Sequence, residues 1–174
     1  MALSEAHMRA WRAVLGAYAT MTGSVEEALR EAELPPLSWL NLLWALDQAP
    51  EGRLRMNELA AFLNVSRGGL TKLVDRLEGA GLIRREACPA DRRGYHAVLL
   101  PTGADMLGRM WPVYEAELER HVAVSITDEE AQTIAAALTR AADSACTLED
   151  TTMEPAEWSA GVRADPVGVQ SQSE

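Results

Sequence analysis

The chain of 174 residues contains little cysteine, one phenylalanine and a single lysine, Lys72. Its two cysteines, Cys88 and Cys146, are too few for a disulfide framework. No apolar run is long enough to span a membrane, and the first residues lack the basic and apolar regions of a signal peptide. Length and composition therefore predict a cytoplasmic protein of about one domain, with no membrane partner.

Motifs for catalysis and for cofactors are also missing from the sequence. The three histidines, His7, His96 and His121, belong to three different predicted elements and lack the paired spacing of metal ligands. There is no phosphate loop, nucleophile elbow or zinc motif. We therefore expect no enzyme activity, no cofactor and no metal, with a metal site assembled in space from these histidines and nearby carboxylates as the alternative.

Charge is distributed unevenly along the chain. The formal net charge is −10, and arginine supplies all but one of the 16 basic residues. The segment Ser66–His96 contains seven basic and four acidic residues, a net charge of +3, so the remainder of the chain carries −13. A basic face on an acidic body is typical of a protein that binds DNA at a defined site.

Two short helices are predicted here, the first just before this basic region and the second at its start. Asn57 is expected to cap the first helix, which ends at a turn at Asn64-Val65, and Ser66 to cap the second. Spacings of three and four residues place one apolar stripe of the second helix inward: Leu70, Leu73, Val74 and Leu77. The residues on its outer arc are Arg67, Gly68, Thr71, Lys72, Asp75 and Arg76.

The two glycines at the start of the second helix, Gly68 and Gly69, are unfavourable there, because glycine in a helix interior costs about 1 kcal/mol relative to alanine. They indicate either a weakly formed first turn or a close approach of the backbone to phosphates or base edges. On the second interpretation Ser66, Arg67 and Gly68 all lie at the nucleic acid.

A β-hairpin is predicted next, with strands over 82–87 and 95–100 and a projecting loop over 88–94. Helix, turn, helix and basic hairpin together place one helix in a DNA major groove and a loop in the flanking minor groove. We expect Arg93 to enter the minor groove, Asp91 to orient it, and Arg92 to contact phosphate. Arg84, in the first strand, belongs to the same basic face. The alternative is that these charges form only a solvated surface.

Further helices are predicted on both sides of this core. The N-terminal part predicts helices over 5–22 and 24–33, the second opened by a capping box of Ser24 and Glu27, and an apolar helix over 37–47. After the hairpin we expect a helix over 101–124 with a kink at Pro112. A helix capped by Thr127 and Glu130 follows, with Ile134 and Leu138 facing inward. From residue 148 no periodicity remains, which predicts a disordered tail.

Several short segments of the sequence together form a family pattern: Leu59-Ala60, Val65-Ser66-Arg67, residues 71–78, residues 81–85, Asp91-Arg92-Arg93 and Gly103. In these motifs the sequence resembles the MarR family, and the resemblance covers roughly residues 5 to 147. It implies a mainly α fold with a small β-wing, in which a winged helix-turn-helix domain over 35–103 is flanked by dimerisation helices over 1–34 and 104–147. Where the family usually has threonine before the helix that follows the wing, this chain has Leu100, and Pro101 can start that helix instead.

Members of this family are dimeric transcriptional regulators, mostly repressors, and many leave DNA when a small phenolic or other aromatic compound binds. The resemblance therefore implies a homodimer on an inverted-repeat operator, double-stranded DNA as partner, and an aromatic effector between the dimerisation helices and the winged helix. We expect an aromatic acid or a polyketide-like compound near Trp11 and Trp39. The residues expected at that site are His7, Trp11, Tyr18, Trp39 and Trp44, with Arg12 and Asn41 as further polar groups.

Two other functions are compatible with the same residues. Cys88, at the base of the wing, is either a small residue before Pro89 or a redox-sensitive thiol whose thiolate Arg84 and Arg85 would favour. Family members that sense peroxide usually carry the reactive cysteine near the N-terminus, where this chain has none. The second alternative is that the winged helix binds a protein and not DNA.

Overall fold

The computed structural model describes residues 2–88 and 91–146, and for residues 91–93 and 145–146 it describes the backbone alone. Within these ranges the fold is mainly α with one small antiparallel sheet, as predicted. The elements are α1 (Glu5–Glu31), α2 (Leu37–Gln48), β1 (Arg53–Arg55), α3 (Met56–Phe62), α4 (Arg67–Gly79), β2 (Ile83–Cys88), β3 (Asp91–Leu99), α5 (Pro101–Leu118) and α6 (Asp128–Cys146).

Helix α1 is continuous over 27 residues, so the prediction of two N-terminal helices with a break before Ser24 is wrong. The capping box predicted for Ser24 and Glu27 does not form, because both side chains have other partners. The Ser24 hydroxyl donates to the Glu117 carboxylate on α5, and Glu27 accepts from the guanidinium of Arg30, Nε to Oε2, at 2.8 Å. Packing against α5 therefore overrides the local stop signal.

The junction between α1 and α5 is built around a buried acid. Glu117 is 6% exposed, and besides Ser24 its carboxylate lies 3.1 Å from the guanidinium of Arg120 and 3.4 Å from Nε2 of His121. The hydrogen bond from Ser24 holds the pKa of Glu117 below its usual value; burial opposes this, and the charges of Arg120 and His121 add to it. Immediately after the end of α5, residues Glu119–Ala123 form a π-helical turn.

Helix α2 forms the centre of the core and is buried on most of its faces. Its leucines pack with residues of α1, α4, the sheet and α5. The fully buried α2 residues are Leu40, Leu42, Leu43, Ala45 and Leu46. A helix this apolar has little polar surface to present, so its neighbours must surround it.

The two helices of the helix-turn-helix begin with different caps. Ser66 caps α4 as predicted, since its Oγ accepts from the backbone N–H of Gly69 at 3.1 Å. The prediction that Asn57 caps α3 is wrong: α3 begins at Met56, and the Glu58 carboxylate accepts from the N–H of Arg55 at 2.9 Å. Asn64 makes the turn with a left-handed φ of 50°, a conformation that asparagine tolerates better than most residues.

The sheet has the strand order β1-β3-β2, and both pairings are antiparallel. Its strands extend further toward the wing tip than predicted. Strand β3 begins at Asp91, which pairs with Cys88, so the projecting loop predicted over 88–94 is wrong. The register shifts between Ala87 and Cys88, whose partners on β3 are Tyr95 and Asp91. Such an irregularity re-aims the strand locally.

Helix α5 starts at Pro101 without a side-chain cap at Leu100, as the sequence indicates. Gly103 allows this start because a Cβ at that position would lie 2.2 Å from the carbonyl oxygen of Leu82. The helix continues through Pro112 to Leu118. Thr127 and Glu130 then cap α6 reciprocally, as predicted.

The apolar residues predicted to face inward on α6 are partly open in the single chain. Ile134 and Leu138 are each 44% exposed. Among the residues described, no helix combines the length and the apolar character needed to cross a membrane. The predicted tail, residues 148–174, lies outside the described residues.

Candidate nucleic-acid interface

Helix α4 divides into a buried and an exposed face, as its spacing predicts. Leu70, Val74 and Leu77 are buried and Leu73 is partly buried against the core. The six residues of the predicted outer arc are all exposed: Arg67, Gly68, Thr71, Lys72, Asp75 and Arg76. Three basic side chains and one hydroxyl side chain thus share one surface with one acid.

The start of α4 leaves room for a ligand. A Cβ on Gly68 would meet no protein atom within 4 Å, so protein packing does not require glycine there. The Thr71 hydroxyl donates to the Arg67 carbonyl at 2.9 Å, which leaves its oxygen lone pairs as acceptors. Ser66 is occupied as the helix cap.

Arg85 connects α4, the predicted recognition helix, to the wing. Its guanidinium donates to Oδ1 of Asp75 at 2.5 Å and to the carboxylate of Glu78, and its backbone N–H donates to Glu78 at 2.9 Å. Partial burial acts to lower the pKa of Arg85, but the hydrogen bonds and charges of the two carboxylates outweigh it and raise the pKa. The acid on the outer arc is therefore neutralised within the protein.

Among the wing residues predicted to contact DNA, the structure describes the side chain of Arg84. Arg84 is exposed and its Nε donates to Glu86 at 2.9 Å, so a partly exposed carboxylate competes with any phosphate for this guanidinium. The side chains of Asp91, Arg92 and Arg93 lie outside the described residues, and their predicted roles stay predictions.

A groove between α4 and the wing contains residues outside the set predicted to bind DNA. Its volume is about 710 Å³. Besides Arg67 and Thr71 it is lined by Arg55, Asn57 and Tyr95. Arg55 reaches this position because β1 pairs with β3, opposite His96. A strand of three residues is too short to be recognised from periodicity. The alternation of Arg53 and Arg55 was nevertheless a usable signal for a strand with both arginines on one face.

The aromatic residues predicted to bind an effector occupy different environments. Trp44 packs against Phe62 and Trp111, with ring centroids 6.4 Å and 6.0 Å apart. Trp39 is partly buried on the core. Trp11 and Tyr18, on α1, are 57% and 70% exposed.

Two polar residues predicted at the same effector site differ in their surroundings. The Nδ1 atom of His7 lies 2.7 Å from the hydroxyl of Ser4, where it helps to cap α1. Asn41 lines a cleft together with Tyr18.

Cys88 and the histidines show little that resembles a reactive or metal site. Cys88 is 6% exposed, and a buried thiol is poorly placed to meet an oxidant. Across the described part of the chain, no group of three histidine, cysteine or acidic side chains is arranged to hold a metal ion.

Comparison with known proteins gives the same fold and family. A model of the MarR family matches residues 34–94. The structure of AbsC, a MarR family transcriptional regulator from Streptomyces coelicolor, is 30% identical, with a TM-score of 0.72 over 82% of this chain and 95% of AbsC. Sco3205, a MarR family transcriptional regulator from the same organism solved in complex with DNA, is 29% identical, with a TM-score of 0.74 over 83% of this chain and 90% of Sco3205.

A curated relative is similar over a shorter region. The uncharacterised HTH-type transcriptional regulator YkoM of Bacillus subtilis is 28% identical over 83 residues. That match spans 48% of this chain and 54%, about half, of YkoM. The winged helix-turn-helix fold, the family model and the near full-length similarity to AbsC agree: this chain belongs to the MarR family of transcriptional regulators.

Proposed function

We propose that the chain is a repressor that binds an inverted-repeat DNA operator as a homodimer and is released by a small aromatic effector. The observation that carries this proposal is the exposed arc of α4, where Arg67, Thr71, Lys72 and Arg76 stand free of the core beside the wing. A helix of about this length fits the major groove, and arginine and lysine are the common ligands of guanine and phosphate. Sco3205, solved with DNA, supports the assignment by similarity.

Apolar side chains at both ends of the described chain support the homodimer. On α1, Trp11 and Leu15 are 57% and 49% exposed, and on α6 Ile134 and Leu138 are each 44% exposed. A group of exposed apolar side chains on two helices indicates a surface that binds a partner more often than one that stays exposed to solvent. A second copy of the chain is the partner we propose, because a two-fold dimer presents two α4 helices to two half-sites one helical turn apart.

A selection of bound sites from random DNA tests this proposal. We expect an inverted repeat whose half-sites are about 10 base pairs apart, or a multiple of that. Selection of a single asymmetric site would contradict binding as a dimer. No enrichment of any sequence would contradict DNA binding and favour a module that binds protein. Sedimentation of the full chain at micromolar concentration, with a dimer expected, tests assembly separately.

A further inference from the structure

A cleft of about 430 Å³ opens where α1 and α2 meet the helix-turn-helix. Tyr18, Thr22 and Glu26 form one wall, and their spacing of four residues places them on one face of α1. Ser38 and Asn41 of α2 form the opposite wall. A volume of this size is within the range of small-molecule sites, which is roughly 300–1,000 Å³.

The polar groups in the cleft are largely uncommitted. Within the described residues, the hydroxyl of Ser38 and the amide of Asn41 have no hydrogen-bond partner. Glu26 uses one carboxylate oxygen, Oε1, to accept from the N–H of Leu37 at 3.2 Å, which leaves Oε2 available. The Thr22 hydroxyl donates to the carbonyl of Tyr18 at 2.6 Å, so toward a ligand it can act only as an acceptor.

The charge of the cleft is of one sign. Glu26 is an acidic residue, and no arginine, lysine or histidine is among the described residues that line the cleft. A carboxylate ligand would meet Glu26 without a compensating cation, on a chain whose net charge is already −10. An ammonium group would pair with Glu26 and could also lie against the ring of Tyr18.

We propose that this cleft binds a small aromatic amine in its cationic form. The ammonium contacts Glu26, the ring lies on the apolar part of the lining, and Asn41 and Ser38 bind a hydroxyl on the ring. The sign of the charge is opposite to that of the aromatic acid expected from the resemblance, because Glu26 lines this cleft together with Tyr18 and Asn41, two residues of the predicted effector site.

The cleft also reaches the DNA-binding element. Val65, in the turn before α4, and Leu73, on the inner side of α4, line the same space as α1. A ligand there contacts both α1 and α4, so it binds one arrangement of the two helices better than another and shifts the population toward that arrangement. This regulatory effect rests on the proposed function, whereas binding of the amine does not.

Calorimetry on the full chain with three matched probes tests the ligand class. Tyramine carries an ammonium, tyrosol a neutral hydroxyl, and 3-(4-hydroxyphenyl)propionate a carboxylate, all on the same phenol. We expect tyramine to bind at least tenfold more tightly than the propionate, with tyrosol between them. Equal affinities, preference for the propionate, or no binding by any of the three would overturn the proposal.

Variants of the cleft show whether the preference originates there. Glu26→Gln keeps an acceptor for Leu37 and should weaken tyramine about tenfold while leaving tyrosol unchanged. Asn41→Asp adds a second carboxylate and should raise the affinity for tyramine relative to that for the propionate, which carries the same phenol. Glu27→Gln, a neighbouring acid that pairs with Arg30 outside the cleft, is the matched control and should change neither. A tyramine affinity insensitive to both cleft variants would overturn the site.

Operator binding in the presence of tyramine separates the two proposals. A fall in operator affinity that Glu26→Gln abolishes supports both the site and its regulatory role. Tyramine binding with unchanged operator affinity overturns the regulatory role alone. Failure to find an operator overturns the proposed function and leaves the calorimetric result standing.

Discussion

Arg85 and Glu78 are joined twice. The backbone N–H of Arg85 donates to Oε1 of Glu78 at 2.9 Å, and the guanidinium donates to the other oxygen of the same carboxylate. The guanidinium also reaches Asp75, one turn earlier on α4. Strand β2 is thereby fixed to the recognition helix, and this arginine is engaged before any DNA arrives.

We therefore predict that Arg85 positions α4 and does not contact phosphate. Arg85→Lys should lower operator affinity severalfold, because an ammonium cannot span two carboxylates as a planar fork does. It should also lower the free energy of unfolding by about 1 kcal/mol, since two of the three side chains are substantially open to solvent. Fluorescence anisotropy and denaturant titration measure the two effects.

The background Asp75→Asn, Glu78→Gln is the control for this prediction. Without the two carboxylates a positioning role disappears, so adding Arg85→Lys or Arg85→Ala should cause no further loss of operator affinity. Loss of a phosphate contact would instead cost the same in both backgrounds and reduce the slope of log affinity against log salt by about 0.9 per half-site.

The exposed arc of α4 predicts a division between base and phosphate contacts. Arg67→Ala and Thr71→Ala should each cost about 1–3 kcal/mol and relax the preference at one operator position. Lys72→Ala and Arg76→Ala should weaken all sequences alike and should each reduce the salt slope by about 0.9 per half-site. Arg30→Ala, at an exposed arginine on α1 paired with Glu27, is the control. Unchanged affinity and preference for both Arg67→Ala and Thr71→Ala would contradict this placement.

The glycines predict opposite effects on stability and binding. Gly68→Ala should raise the free energy of unfolding by about 0.5 kcal/mol, since its Cβ would meet nothing within 4 Å, yet weaken operator binding if DNA approaches the backbone there. Gly108→Ala, equally open on α5, should leave binding unchanged. Gly103→Ala should destabilise by about 2 kcal/mol or more, because its Cβ would lie 2.2 Å from the carbonyl oxygen of Leu82. Denaturant titration alongside anisotropy gives both readouts.

The lowered pKa of Glu117 predicts a loss of stability in acid. A carboxyl whose pKa is lower in the folded state contributes stability above its unfolded pKa, about 4.3, and loses it as the pH falls through the folded value. The melting temperature of the wild type should therefore fall more steeply between pH 5 and 3 than that of Glu117→Gln. The difference between the two slopes corresponds to the titration of one carboxyl group. Glu130→Gln provides a comparison, since hydrogen bonds from Thr127 lower the pKa of Glu130 on the separate helix α6.

Local patterns predicted the recognition helix and missed the long-range contacts. The stripe of α4 and its Ser66 cap follow from a 3.6-residue period and one side-chain hydrogen bond, both readable within a few residues. The continuity of α1 depends on Ser24 meeting Glu117, 93 positions away. The hydrogen bonds from Arg85 to Asp75 and Glu78 of α4 depend likewise on how β2 packs against α4, and no local sequence pattern predicts that packing.

The candidate site was predictable to a similar extent. The six residues of the outer arc were correctly placed at the surface from their spacing alone. Arg55 and Asn57 enter the groove because β1 pairs with β3, and that pairing joins segments about 40 residues apart, as Arg55↔His96 shows. The cleft that contains Glu26 and Asn41 forms only where α1 and α2 converge on the helix-turn-helix.

The wing supplies a prediction whose sign distinguishes specific contact from bulk charge. We expect Arg93 in the minor groove with Asp91 as its orienting partner and Arg92 on phosphate. Arg93→Ala should then weaken specific binding strongly, and Asp91→Ala should weaken it less, although it removes a negative charge from a DNA-facing hairpin. On a purely electrostatic surface, removing Asp91 would tighten binding. Anisotropy with operator and with unrelated DNA, over a range of salt, measures both variants. Tighter operator binding by Asp91→Ala would show that the acid does not orient Arg93.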